Sequence, residues 1–110
     1  MNLRKFKVSE ASGVVLDWMV AKCEYGATKN IPTGFPAFSE DWSQGGPIIE
    51  REKMTVGTCV GDTQWAADIY QGAGLDIKAS RVGPTPLIAA MRCYVASKLG
   101  EEVEVPEELL

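Results

Sequence analysis

The sequence predicts an α+β fold: a small antiparallel sheet of about three to four strands packed against two helices, with a C-terminal helix over about 85–99 at the centre. Three observations carry this. Thr85–Gly100 has the marks of a core helix at both ends and along its length. Residues from about 10 to 25 repeat apolar side chains at helical spacing. Between Met54 and Val82, three β-rich runs are separated by turns containing glycine.

The C-terminal helix is the clearest element. Thr85 can cap its first turn through the hydroxyl. Pro86 suits the first helical position, where a missing N–H costs nothing. Lys98 lies near the negative end of the helix dipole, and Gly100 suits the residue just past the end. Leu87, Met91, Val95 and Leu99 form an apolar stripe that Ile88 and Tyr94 widen, and small Ala89, Ala90, Ala96 and Ser97 allow a neighbour to come close.

In chain order, the residues up to about Val8 read as an edge strand or a frayed arm. Ser9 reads as a helix cap with Glu10 in the first turn, and Val14, Val15, Trp18, Met19 and Cys23 follow at helical spacing until Gly26. Ala27–Asp41 is loop-like through Asn30, Pro32, Gly34 and Pro36, with Phe35 and Phe38 pinning it to the core. Gly45-Gly46-Pro47 interrupts what precedes it, and Pro47 opens a short helical turn that carries Ile48 and Ile49 inward. Strands follow at Met54–Val60 and Gln64–Tyr70, with turns at Gly61-Asp62 and Gln71–Gly74. In Leu75–Val82, Leu75, Ile77 and Ala79 alternate with Asp76, Lys78 and Ser80, the period of a half-buried strand.

A chain of 110 residues makes one domain, here 1–100, followed by an acidic tail at 101–110 that reads as solvated. The apolar fraction of 45% is that of an ordinary globular protein. No apolar run is long enough to span a membrane, and no apolar segment follows the basic N-terminus to make a secretory leader. A net charge of −4 argues against broad nucleic-acid binding, which depends on neutralising phosphates. There is no histidine, which excludes imidazole acid–base steps, histidine triads and histidine metal sites. Cys23, Cys59 and Cys93 lack metal-ligand spacing and read as reduced, buried thiols. No cofactor is expected.

Three stretches carry a resemblance. They are Lys7-Val8-Ser9-Glu10 running into Leu16-Asp17-Trp18-Met19-Val20-Ala21-Lys22, then Asp41-Trp42-Ser43-Gln44-Gly45-Gly46-Pro47-Ile48-Ile49-Glu50-Arg51-Glu52, then Gly83 through Lys98. Together they resemble the NinX-like family of tailed-phage and prophage accessory proteins, a domain of unknown function. The resemblance implies a phage origin and a host-cytoplasmic setting. It carries no established activity and no catalytic residues.

Asp41–Arg51 is the best candidate site. Backbone N–H groups around Gly45 and Gly46 can cradle an anion beside the positive end of a helical turn. Ser43 and Gln44 add polar groups, Trp42 can stack on a ring, and Arg51 can grip a phosphate or carboxylate with two N–H groups. The plainer alternative is a tight turn whose tryptophan plugs the core. Trp65, Arg81 and Arg92 complete the candidate set. Arg92 lies at the edge of the buried helix face, where it either pairs with a carboxylate or points into a pocket. Glu50 and Glu52 are too close in sequence to face each other across a substrate, and no histidine is present to activate a cysteine or serine.

The functional expectation is therefore a non-enzymatic binding protein. In one reading it binds, and sequesters, a small anionic nucleotide-like ligand such as a host immune signal. In the alternative it is an interaction module that binds a host or phage protein. In the first reading, deletion of Glu101–Leu110 is expected to be silent. A homo-oligomer is expected, because one small chain encloses a ligand poorly.

Overall fold

A computed structural model describes residues 2–26, 34–59, 61, 63–71 and 76–110. In chain order the elements are β1 (Leu3–Lys7), a 3₁₀ turn (Val8–Glu10), α1 (Gly13–Tyr25), α2 (Trp42–Arg51), β2 (Thr55–Thr58), β3 (Trp65–Gln71), β4 (Asp76–Gly83), α3 (Pro86–Leu99), β5 (Glu102–Pro106) and a second 3₁₀ turn (Glu107–Leu109). The class is α+β, as expected, with one more helix and one more sheet. β2, β3 and β4 form an antiparallel sheet in that order, and β1 pairs antiparallel with β5.

α3 is the centre of the fold. Its caps form as the residues predict: the Ile88 N–H donates to Thr85 Oγ1 (3.1 Å), Pro86 opens the helix, and Gly100 follows it at φ 90°. The three-stranded sheet lies on one side and α1 on another, so Leu87, Ala89, Ala90, Met91, Cys93, Tyr94 and Val95 are all buried. Each large side chain among these contributes about 1.5–3 kcal/mol on burial. The small residues do allow close approach: a Cβ on Gly83 would lie 2.8 Å from the Ala89 nitrogen. Phe38 is buried and Phe35 packs partly against the same core, as their place in the loop predicts. Asn30, Pro32, Val60, Asp62, residues 72–74 of the expected turn and Leu75 lie outside the described residues.

Four expectations are corrected. The first long helix begins at Gly13, not near residue 10. Val8 and Ala11 are fully buried, the Val8 N–H donates to Glu101 O (2.9 Å), and this pins a 3₁₀ turn where Ser9 would have capped a helix. Gly-Gly-Pro does not interrupt the chain before residue 47; it lies inside α2, which starts at Trp42. The acidic tail is not solvated. Glu102–Pro106 is β5, pairing Phe6 with Val103 and Arg4 with Val105, and its alternate residues Val103 and Val105 pack beneath α1 and α3. Finally, Ile77 is exposed. Ile69 opposes Ala79 but Tyr70 opposes Ile77, so Lys78 is an extra residue and the period of two slips.

Candidate functional site

α2 holds six of the expected site residues: Trp42, Ser43, Gln44, Gly45, Gly46 and Arg51. Asp41 caps it, accepting from the Ser43 N–H (2.9 Å) and the Ser43 hydroxyl (2.6 Å), and these bonds hold the Asp41 carboxyl below its usual range. The Gln44 and Gly45 N–H groups both donate to Asp41 O at 2.9 Å. The N–H of Gly45 is thus spent inside the helix, and an anion cradle at Gly45-Gly46 does not form. Gly45 has another role. A Cβ there would collide with the Phe38 carbonyl oxygen and lie 2.6 Å from Leu87 Cδ1. Its bare backbone lets α2 press against α3 and bury Ile48, which offsets the hydrogen bond that Pro47 removes.

Arg51 lies at the other end of α2, about 14 Å along the axis from Trp42. Its guanidinium, half exposed, makes four hydrogen bonds within the protein. Nη1 and Nη2 donate to the two Glu24 oxygens (3.0 and 2.7 Å), Nε to Glu52 (3.1 Å), and Nη2 also to Tyr94 OH (3.1 Å). Tyr94 in turn donates to Glu24 (2.5 Å), and Lys98 lies 3.4 Å from Glu52. The Arg51 hydrogen bonds hold the Glu24 carboxyl below its usual range, against the opposing effect of its burial. Arg51→Ala is expected to cost about 1–2 kcal/mol at neutral pH, since it strands a carboxylate that is only one-fifth exposed. Because the folded pKa of Glu24 is depressed, this contribution is present above the ordinary glutamate value and is lost as pH falls through the folded value. Urea denaturation across pH checks it: the gap between wild type and variant closes in acid. Asp17 acts in the opposite sense. Burial raises its pKa, so its protonation favours the fold as pH falls.

Arg81 and Arg92 share a structural task. Cys59 N–H donates to Gln64 O (3.0 Å), which sets the alternation of hydrogen-bonded pairs across the sheet. It follows that the backbone groups of Ser80 and Val82 point away from β3, along the open edge of β4. Arg81 Nη1 donates to Ser80 O (2.6 Å) and Arg92 Nη1 to Val82 O (3.0 Å), so guanidinium groups cover both carbonyls. Arg92 Nε also donates to Ala11 O (2.8 Å). Among the described residues Arg92 thus bonds two backbone carbonyls rather than a carboxylate, and it staples α3 to the chain before α1. Arg81 reaches Glu101 (3.1 Å) and lines a cleft of about 510 Å³ with Lys7, Ser9, Glu101 and Glu102. Trp65 lies on the core side of β3, opposite Thr58 and Gly83, and packs partly into the core.

The expected site residues thus fall in four places. Those still facing open space around Asp41–Arg51 are at the start of α2. Here Trp42, 55% exposed, walls a groove of about 300 Å³ with Ser39, Glu40, Thr85, Pro86, Leu87 and Ile88. Ser39 anchors the approach, its N–H donating to Asp17 (2.8 Å). The groove offers an indole face, an aliphatic floor and one carboxylate, and none of its lining residues is cationic. That chemistry suits an apolar group with a neighbouring positive charge. Glu40 and the Thr85–Ile88 wall were missed from the sequence. The only signal for them was Gly45, which permits the close crossing of α2 and α3.

Burial pushes the Cys23 and Cys93 thiols up to about 12, so both stay protonated near neutrality. Among the described residues, no three Cys, Asp or Glu side chains converge as a metal site would require, and no helix is long and apolar enough to cross a membrane. No curated protein matches the chain. The family model described as bacteriophage P22 NinX matches residues 35–98, which include all of α2, the three-stranded sheet and α3 as far as Lys98. With well over half its length so matched, the chain belongs to the phage NinX family.

Proposed function

We propose that this NinX-family protein is a non-enzymatic accessory protein that works in the host cytoplasm by docking a host or phage protein. The partner segment presents a cationic side chain beside an apolar one, and the groove at the start of α2 receives it. The observation that carries this reading is Trp42, left more than half exposed over an aliphatic floor with Glu40 on the rim. Exposed tryptophans beside a groove are typical anchors of protein interfaces. The chain's net charge of −4 favours a basic partner.

Sequestration of a small anionic, nucleotide-like ligand is less well supported. Arg51, Arg81 and Arg92, which would grip its charge, already bind protein oxygens. Freeing Arg51 would also strand Glu24.

The test is recovery of partner proteins from phage-infected host lysate on wild type and on two variants. Trp42→Ala and Glu40→Lys are each expected to cut recovery of a shared, basic-segment partner about 30-fold, the effect of losing an interface anchor. Melting temperatures should stay near wild type, since both side chains are exposed. Calorimetric titrations with cyclic nucleotides and ADP-ribose should be flat. A saturating nucleotide isotherm, with recovery unaffected by either variant, would replace docking with sequestration.

A further inference from the structure

Two buried polar groups beside the groove at the start of α2 are left without the partners that burial demands. Asp17 on α1 is 6% exposed, and its carboxyl receives one hydrogen bond from the described residues, the Ser39 N–H at 2.8 Å. No described lysine or arginine pairs with it. Buried carboxylates are ordinarily matched by a cation or by several donors. Desolvation accordingly raises the Asp17 pKa, and the nearby Glu40 charge adds to the rise.

Ser39 is the second. It lines the groove, it is 1% exposed, and its Oγ has no hydrogen-bond partner among the described residues. A buried hydroxyl in that state weakens the fold until something completes it. Ser39 lies close enough to the Asp17 carboxyl to oppose the rise in its pKa, yet its hydroxyl completes no hydrogen bond there. The two groups therefore form one site. It is reached from the groove through Ser39, with Glu40 and the exposed Trp42 on the rim.

We infer that this site takes the ammonium group of a lysine side chain on the docked partner. A hydroxyl accepts and donates at once. Ser39 Oγ accepts from the ammonium and turns its own proton to Asp17, so one cation completes both buried groups. Glu40 accepts a second ammonium N–H at the rim. The aliphatic stem of the lysine lies on Leu87 and Ile88 against the indole of Trp42. Shape favours lysine over arginine. Ser39 and Asp17 are almost closed off, and a compact ammonium on a flexible stem reaches such a point where a planar guanidinium does not. Charge excludes an anion, which Asp17 and Glu40 would both repel. The inference rests on the docking reading above and narrows its cationic side chain to lysine.

Nuclear magnetic resonance titration of the full chain with acetyl-lysyl-leucine amide tests it, with the arginine and norleucine analogues as comparisons. The Ser39 amide and Trp42 indole signals should shift saturably with the lysine probe. The arginine probe should bind about 10-fold more weakly, and the norleucine probe should leave both signals in place. Ser39→Ala and Asp17→Asn should each weaken the lysine probe about 10-fold. Ser39→Ala removes a hydroxyl that makes no bond within the protein, and Asp17→Asn keeps an oxygen for the Ser39 N–H, so both should retain a cooperative melt. A lysine probe that moves neither signal overturns the inference. So does arginine binding as tight as lysine, or lysine binding that Ser39→Ala leaves unchanged. Docking itself is judged apart from this: it stands if Trp42→Ala and Glu40→Lys cut partner recovery while Ser39→Ala does not, and the lysine site then falls alone.

Discussion

Gly45→Ala is expected to destabilise the protein by about 3 kcal/mol, lowering the melting temperature by roughly 10–20 °C, while Gly46→Ala leaves it unchanged or raises it. Adjacent glycines in one helix are thus predicted to respond with opposite signs. A methyl group on Gly45 would collide with the Phe38 carbonyl and crowd Leu87 Cδ1 at 2.6 Å. A backbone carbonyl in a buried turn cannot swing aside as a flexible side chain can, so α2 has to lift from α3. That exposes Ile48 and reopens the surface of Leu87, both almost fully buried. At Gly46 the nearest atom to an added Cβ is Trp42 Cε3 at 3.9 Å, an ordinary contact. There alanine removes only the entropic penalty of a helical glycine, about 0.5–1 kcal/mol. Differential scanning calorimetry of the two variants decides the matter. Equal losses would show that the α2–α3 contact does not depend on Gly45.

Val105→Asp is expected to cost about 4 kcal/mol or more, and truncation after Glu101 to abolish cooperative folding. Val105 is fully buried and Val103 nearly so. An aspartate at 105 lies opposite Arg4, whose guanidinium is exposed and already paired with Glu107, and must either lose its charge or pull β5 away. Truncation also removes β5, the only strand that pairs with β1 among the described residues, leaving the N-terminal residues without their ladder. Since a domain of this size is stable by only about 5–15 kcal/mol, either loss is a large share of the total. Glu104→Ala, on the exposed side of the same strand, should stay within about 0.5 kcal/mol of wild type. Chemical denaturation followed by tryptophan fluorescence separates these outcomes. A Val105→Asp midpoint equal to that of Glu104→Ala would mean that β5 is not part of the core.

The β5 error shows where a chain-order reading loses information. In Glu101–Leu110, the glutamates dominate composition, and the alternation of Glu102, Val103, Glu104 and Val105 spans only a few residues. Such a short period of two becomes a strand only if a partner strand exists, and that partner lies at the opposite terminus. α2 misled for a related reason. Glycine and proline weaken a helix through local terms, but the helix here survives on a cap at Asp41 and on burial against α3. Ile77 was misplaced by a single extra residue in β4, which strand periodicity cannot register.

What the sequence by itself determined is what rests on near neighbours: the α+β class, the capped and apolar α3, the three strands of the main sheet and the exclusion of imidazole chemistry. It also placed Trp42 in a candidate site, beside the alternative that this tryptophan plugs the core; its exposure and the groove beside it come from the tertiary structure. Only the tertiary structure decided the fate of the arginines. Arg51 meets Glu24 across 27 positions and Arg92 meets Ala11 across 81. Whether a guanidinium is free for a ligand depends on which oxygens the fold brings within about 3 Å of it. Local sequence carries no record of that distance, because chain segments far apart in sequence share a site only once the core between them has formed.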